Sequence, residues 1–186
     1  MPEGLRRIPE GLRRIARGEP ALTLLLSLLA LAAAWVSQHR FDMQPCPWCI
    51  LQRMVFALLA VLAAVQWVLQ SVRPAQAQVQ GPTGPVTRLN TVLTAGRGLL
   101  ALSGLAAAVW QHTVAASSLS CNLSWADRFI AATGLDGSWP ELFQPRANCM
   151  EAKAWLLGVP YEFYSAALFI LIAVLALAQR LDRTPG

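Results

Sequence analysis

Charge is what this sequence has least of. Of its 186 residues only 13% are Asp, Glu, Lys or Arg, while 55% are hydrophobic, and the mean hydropathy is +0.45. Soluble domains carry about a quarter of their residues as charges, which argues against that class. Also missing is the polar stripe that a soluble helix turns to water. Four apolar runs, at 20–38, 50–71, 92–112 and 160–179, pass with sparse polar interruption, which argues against a soluble bundle with buried helices. Each run has the roughly 17 to 25 residues needed to cross hydrocarbon. The sequence therefore predicts an all-α membrane protein, a four-transmembrane-helix bundle forming one integral domain, with the lipid bilayer as its surroundings.

A second closely spaced cysteine pair is absent as well. Cys46 and Cys49 stand three apart in QPCPWCILQRMVFALL (44–59), but Cys121 and Cys149 are 28 positions apart. Zinc knuckles come in pairs, so zinc is disfavoured and no metal is expected. A purely structural bridge between Cys46 and Cys49 is also weak, because so short a loop removes little entropy from the unfolded chain. Redox exchange is the better reading.

The charges that are present are bunched. Arg6, Arg7, Arg13, Arg14, Arg17, Arg73, Arg88, Arg97, Arg180 and Arg183 fall on the side of the N-terminus. The opposite connections hold Arg40, Arg128, Arg146 and Lys153 with the carboxylates Asp42, Asp127, Asp136, Glu141 and Glu151, and Glu162 at the border. The positive-inside rule then makes both termini and the 73–91 connection cytoplasmic. All four cysteines fall on the outer side, where disulfides persist, which in a bacterium is the periplasm. The formal charge of +5 reflects arginines facing anionic lipid and gives no support to nucleic-acid binding.

Residues 1–19 repeat PEGLRRI at 2–8 and 9–15 and read as a basic tail on the membrane surface, with Pro and Gly interrupting any helix. The first apolar run could pass for a signal peptide, but it reaches spanning length and is expected to remain as a helix. The 73–91 connection is rich in Pro, Gly and Gln and reads as a dispensable linker. The 113–159 connection is different, because it carries Trp125, Phe129, Trp139, Phe143 and Trp155. Ser124 with Asp127, and Asn148 with Glu151, have the spacing of helix capping pairs. Two short helices near the membrane surface are expected there, with the tryptophans at headgroup level.

Pro47 suits the first turn of a helix and Cys46 its cap, which puts both sulfurs at the positive end of the second span, where thiolate is favoured. Arg53 is four residues beyond Cys49 and shares its helix face. One reading of Arg53 is a side chain extending to the headgroups; the other is a guanidinium that holds the Cys49 thiolate or the charge on an electron acceptor. Cys121 and Cys149 could be a plain loop staple. Against that, Cys149 would open a helix capped by Asn148, another place where thiolate is favoured.

Four spans, CPWCILQR entering the second, WQHT at 110–113 leaving the third, and NCMEAKAWLLGVP entering the fourth resemble the bacterial disulfide-bond formation protein DsbB family. The resemblance covers about residues 20–180. It implies a periplasmic DsbA-like thiol oxidase as partner and a membrane quinone, ubiquinone or menaquinone, as cofactor, in the bacterial inner membrane. It also implies that Cys121 forms the mixed disulfide, that Cys149 exchanges with Cys46, and that Cys49 passes electrons to the quinone beside Arg53 and His112. Taken alone, His112 reads as an interfacial polar residue. DsbA-type and thioredoxin-type couples, at about −120 and −270 mV, differ by roughly 7 kcal/mol for two electrons, so an ordinary dithiol needs a further acceptor to oxidise DsbA. Two other classes remain: a vitamin K epoxide reductase-like enzyme, which would carry its CxxC before a late helix, and a non-enzymatic scaffold stapled by disulfides.

Overall fold

The structure, a computed structural model, describes residues 10–72, 84–115 and 124–183. Cys121, the first copy of the heptad and most of the 73–91 connection lie outside the described residues. The four apolar runs form α1 (Glu10–Arg40), α2 (Pro47–Val72), α3 (Pro85–Thr113) and a final helix, α7 (Tyr161–Arg183). Stretches long and apolar enough to cross a membrane cover Gly18–Arg40, Pro47–Val72, Thr87–Thr113 and Tyr161–Leu181. The helices close a ring in which α1 packs on α2, α2 on α3, α3 on α7 and α7 on α1. At its centre Phe56 and Phe169 stack with ring centroids 4.2 Å apart, surrounded by Leu59, Ala101 and Ile172. Gly104 makes this possible: a methyl group there would overlap the Phe169 ring, so only a residue without Cβ lets that ring lie on the α3 backbone.

The expected break in residues 10–19 does not occur. Gly18 and Pro20 lie inside α1. Proline in a helix removes one backbone hydrogen bond, and helices packed in a membrane bundle tolerate that loss. Here the next turn is anchored from outside. Glu19 takes a bidentate pair from Arg97 at 2.8 and 2.6 Å, and the Thr23 hydroxyl donates to the same carboxylate. Arg97 also donates to Gln66 and Gln179, and Thr94 donates to Gln179. All of these side chains are buried, so one polar network ties all four helices together at the end remote from Cys46. Arg97 is therefore no surface cation for the positive-inside count, because its charge is cancelled inside the bundle.

Between α3 and α7 the chain builds small elements over the N-terminus of α2. Ser124 and Asp127 form the reciprocal capping box, opening α4 (Trp125–Thr133), which ends on Gly134 at φ 67°. Two single turns follow, α5 (Leu135–Ser138) and α6 (Pro140–Phe143). Ile130 of α4 and Phe143 of α6 bury against Ile50 of α2, which seats the loop beside the CPWC turn. Trp125, Trp139 and Trp155 are exposed, whereas Phe143 is buried. The second expected helix is not formed. Asn148 does cap: its Oδ1 accepts from the Met150 and Glu151 amides, and its own amide donates to the Glu151 carboxylate. Only one turn follows, because the chain then enters a hairpin, β1 (Trp155–Leu156) with β2 (Val159–Pro160). Its turn residues Leu157 and Gly158 have φ of 52° and 80°, the left-handed pair that a two-residue hairpin needs and a helix cannot adopt.

Candidate functional site

Helix geometry sets the floor of the site. Cys49, Gln52, Arg53 and Phe56 follow one another at i, i+3, i+4 and i+7 and so share one face of α2. They line a cavity of about 340 Å³ between α1, α2 and α7, walled by Leu26, Ala30 and Leu168 and roofed by Pro45, Ala154 and Leu156. Leu29 on its rim is 56% exposed on the outer face of α1, so the cavity opens onto the surface that the spans present to hydrocarbon.

The three described thiols form a row. Cys46 caps α2: its carbonyl accepts the first helical bond from Ile50, and its sulfur accepts from the Cys49 amide at 3.3 Å. The Cys46 and Cys49 sulfurs lie 3.0 Å apart as free thiols. Cys149 also reaches Cys46, near enough for a side-chain hydrogen bond. The loop is held there by the backbone, since the Arg146 and Ala147 amides both donate to the Pro45 carbonyl. Cys46 therefore touches both Cys149 and Cys49, and it is fully buried. The hydrogen bond from Cys149, the contact with Cys49 and burial push its thiol well above the ordinary cysteine range. The helix-end field expected to favour thiolate is outweighed at this sulfur by those hydrogen bonds and by burial, which favour the neutral thiol.

Arg53 does not extend to the headgroups. It is 6% exposed and donates to the Gln38 side chain at 2.8 Å, the Leu142 carbonyl at 3.1 Å and the Ala34 carbonyl at 3.2 Å. All three acceptors are neutral, and no carboxylate lies within ion-pair distance of it among the described residues. Its charge is thus positioned but not cancelled, which leaves it available to an anion at Cys49 or in the cavity. Loop and helix are braced around it. Glu141 pairs with His39 and Arg146, and its carboxyl is held below the usual range chiefly by the His39 hydrogen bond.

The family resemblance placed His112 beside the quinone, whereas taken alone it read as an interfacial polar residue; His112 is absent from the cavity wall. Its Nδ1 lies 2.8 Å from Glu162, and Glu162 is the member of that pair that lines the cavity. The preceding residue, Gln111, does reach the site: its amide donates to the Cys49 sulfur at 3.2 Å. Gln52, in turn, donates to Gln111 at 2.7 Å. Neither glutamine was singled out from the sequence. The available signal was a polar residue one helical turn beyond Cys49 in an otherwise apolar run.

The wall combines polar groups with an apolar lining. Donors are present in Arg53 and Gln111. An acceptor is free in Gln44 Oε1, which is buried at the wall without a hydrogen-bond partner among the described residues. The rest of the lining is largely aliphatic.

The family description "Disulfide bond formation protein DsbB" matches residues 17–179. A "Disulfide bond formation protein B 1" of Pseudomonas savastanoi pv. phaseolicola is 31% identical over 165 residues, 86% of this chain and 88% of that protein. A "Disulfide bond formation protein B" of Herminiimonas arsenicoxydans is 28% identical over 154 residues, 82% and 87% of the two chains. No solved structure matches the chain significantly.

Proposed function

Because this chain belongs to the DsbB family of disulfide bond formation proteins, we propose that it is a quinone-linked thiol oxidoreductase of the bacterial inner membrane. It reoxidises a periplasmic DsbA-type dithiol oxidase and passes the electrons through two cysteine pairs. The observation that carries this reading is the row Cys149, Cys46, Cys49, ending beside Arg53 on a cavity open to hydrocarbon.

The exchanges balance as follows. A substrate thiolate attacks Cys121 of a Cys121–Cys149 disulfide and expels Cys149 as thiolate. Cys149 attacks Cys46 of a Cys46–Cys49 disulfide and expels Cys49. Each exchange breaks one disulfide and forms one. A quinone bound beside Cys49 would supply the oxidant, accepting the two electrons and two protons that the dithiol substrate gives up. The substrate's second thiolate then attacks its own sulfur in the mixed disulfide, which frees oxidised substrate and the Cys121 thiolate. Cys121 attacks Cys149 of the Cys149–Cys46 bond, which restores Cys121–Cys149 and frees Cys46. The Cys46–Cys49 bond would re-form as the electrons of that dithiol pass to the acceptor. Arg53 would stabilise the Cys49 thiolate, and likewise the negative charge developing on an acceptor oxygen. The buried Cys46 suits the receiving role, because among the described residues it is the cysteine in contact with both other sulfurs.

The test is quinone consumption by the detergent-solubilised protein with reduced DsbA and ubiquinone. Arg53→Lys keeps the charge but gives up the guanidinium fork. We expect it to raise the apparent KM for quinone about tenfold, the scale of one hydrogen bond to a charged group, with the mixed disulfide at Cys121 forming at the wild-type rate. An unchanged KM would remove Arg53 from the quinone site. Absence of quinone consumption by the wild type would favour the scaffold reading.

A further inference from the structure

We propose that Gln111 is a catalytic residue, whose side-chain amide donates to the Cys49 sulfur and stabilises it as the leaving thiolate, while Gln52 is the positioning residue that fixes the direction of that amide. The consequence for electron transfer rests on the function proposed above; the hydrogen bond does not.

A carboxamide has one donor end and one acceptor end. The acceptor end of Gln111 is occupied by the Gln52 amide at 2.7 Å, so its donor end is turned to the sulfur, 3.2 Å away. Both side chains are almost wholly buried, at 7% and 4% exposure, so the bond between them is shielded from water. Gln52 lies one turn beyond Cys49 on α2 and Gln111 lies on α3, so the brace spans two helices and does not depend on the loop. A thiol accepts such a bond weakly and a thiolate accepts it well. The interaction therefore strengthens when exchange at Cys46 delivers negative charge to Cys49, as a leaving-group stabiliser must.

Neutrality matters here. A carboxylate at position 111 would put a second anion against the thiolate and draw on the field of Arg53, whereas an amide donates at every pH and leaves that charge free. Arg53 spends its own bonds on Gln38, Ala34 and Leu142. Among the described side chains, the Cys46 thiol at 3.0 Å and the Gln111 amide at 3.2 Å can both donate to the Cys49 sulfur, and once Cys46 is bonded to Cys149 its thiol proton is gone and the amide remains.

The test uses the full chain, reduced and free of quinone, in detergent. Methyl methanethiosulfonate, small and uncharged, modifies thiolates, and fragment-ion mass spectrometry separates Cys49 from Cys46. At pH 7 we expect Gln111→Glu, which is nearly isosteric but lacks the donor, and Gln111→Leu to slow modification of Cys49 about tenfold, with the wild-type rate regained at high pH. Gln52→Leu should give a smaller loss, about threefold, because the freed amide still visits the sulfur. An unchanged rate at pH 7 in both Gln111 variants, or a loss by the same factor at every pH, would overturn the proposal, since packing alone would not act through ionisation. If the wild type shows this dependence on Gln111 yet reduces no quinone, the proposed function falls while the hydrogen bond stands.

Discussion

In the Cys49→Ser protein we expect quinone consumption to fall to the rate without enzyme, while one equivalent of reduced DsbA per chain is still oxidised. The physical basis is the order of the sulfurs. Cys46 is in contact with both Cys49 and Cys149, so electrons arriving at Cys149 have one covalent route onward, through Cys46 to Cys49. A serine hydroxyl can neither form a disulfide nor leave as a stable anion at neutral pH. The outer pair would react once and then remain reduced. Quinone absorbance followed alongside a count of free thiols distinguishes a single turnover from continuous cycling. Continued turnover in this variant would mean that electrons leave from another sulfur, and the relay would be wrong.

A second large effect is expected at the other end of the bundle. Arg97→Met should destabilise the protein by about 3–5 kcal/mol, the usual cost of stranding one member of a buried ion pair. Glu19 is fully buried, and Arg97 supplies its bidentate contact. The loss would also strip a donor from Gln66 and Gln179. Replacing both charges, Glu19→Gln with Arg97→Met, should recover most of the stability, because no unpaired charge then remains inside. Unfolding midpoints in detergent for the two single variants and the double variant would measure this. A single Arg97→Met variant within about 1 kcal/mol of wild type would show that the pair contributes little. Modification of Cys49 should be unchanged throughout, since the network and the cysteine row occupy opposite ends of α2.

The sequence is informative where the physics is local or periodic. Four stretches with no polar stripe could only be spans. Ser124 and Asp127 announced the cap that α4 carries, and Pro47 announced the first turn of α2. The same local logic failed at Asn148. The capping contacts form there, but the hairpin at Leu157 and Gly158 claims the following residues, and a cap does not fix how far a helix runs. It failed again at Arg97, because counting basic residues near helix ends takes no account of a carboxylate on another helix, 78 positions earlier.

By itself, then, the sequence determined that this is a four-span membrane thiol protein with Cys46 and Cys49 at the mouth of the second span and Arg53 on the Cys49 face, because hydropathy length and helical period are properties of contiguous residues. Tertiary packing alone decided that Cys149 comes to rest on Cys46, that Gln111 rather than His112 reaches the Cys49 sulfur, and that Arg97 is neutralised inside the bundle. Each of those depends on which faces of separate helices meet. A one-residue step around a helix turns a side chain by about 100°, so neighbours in the chain can face different worlds.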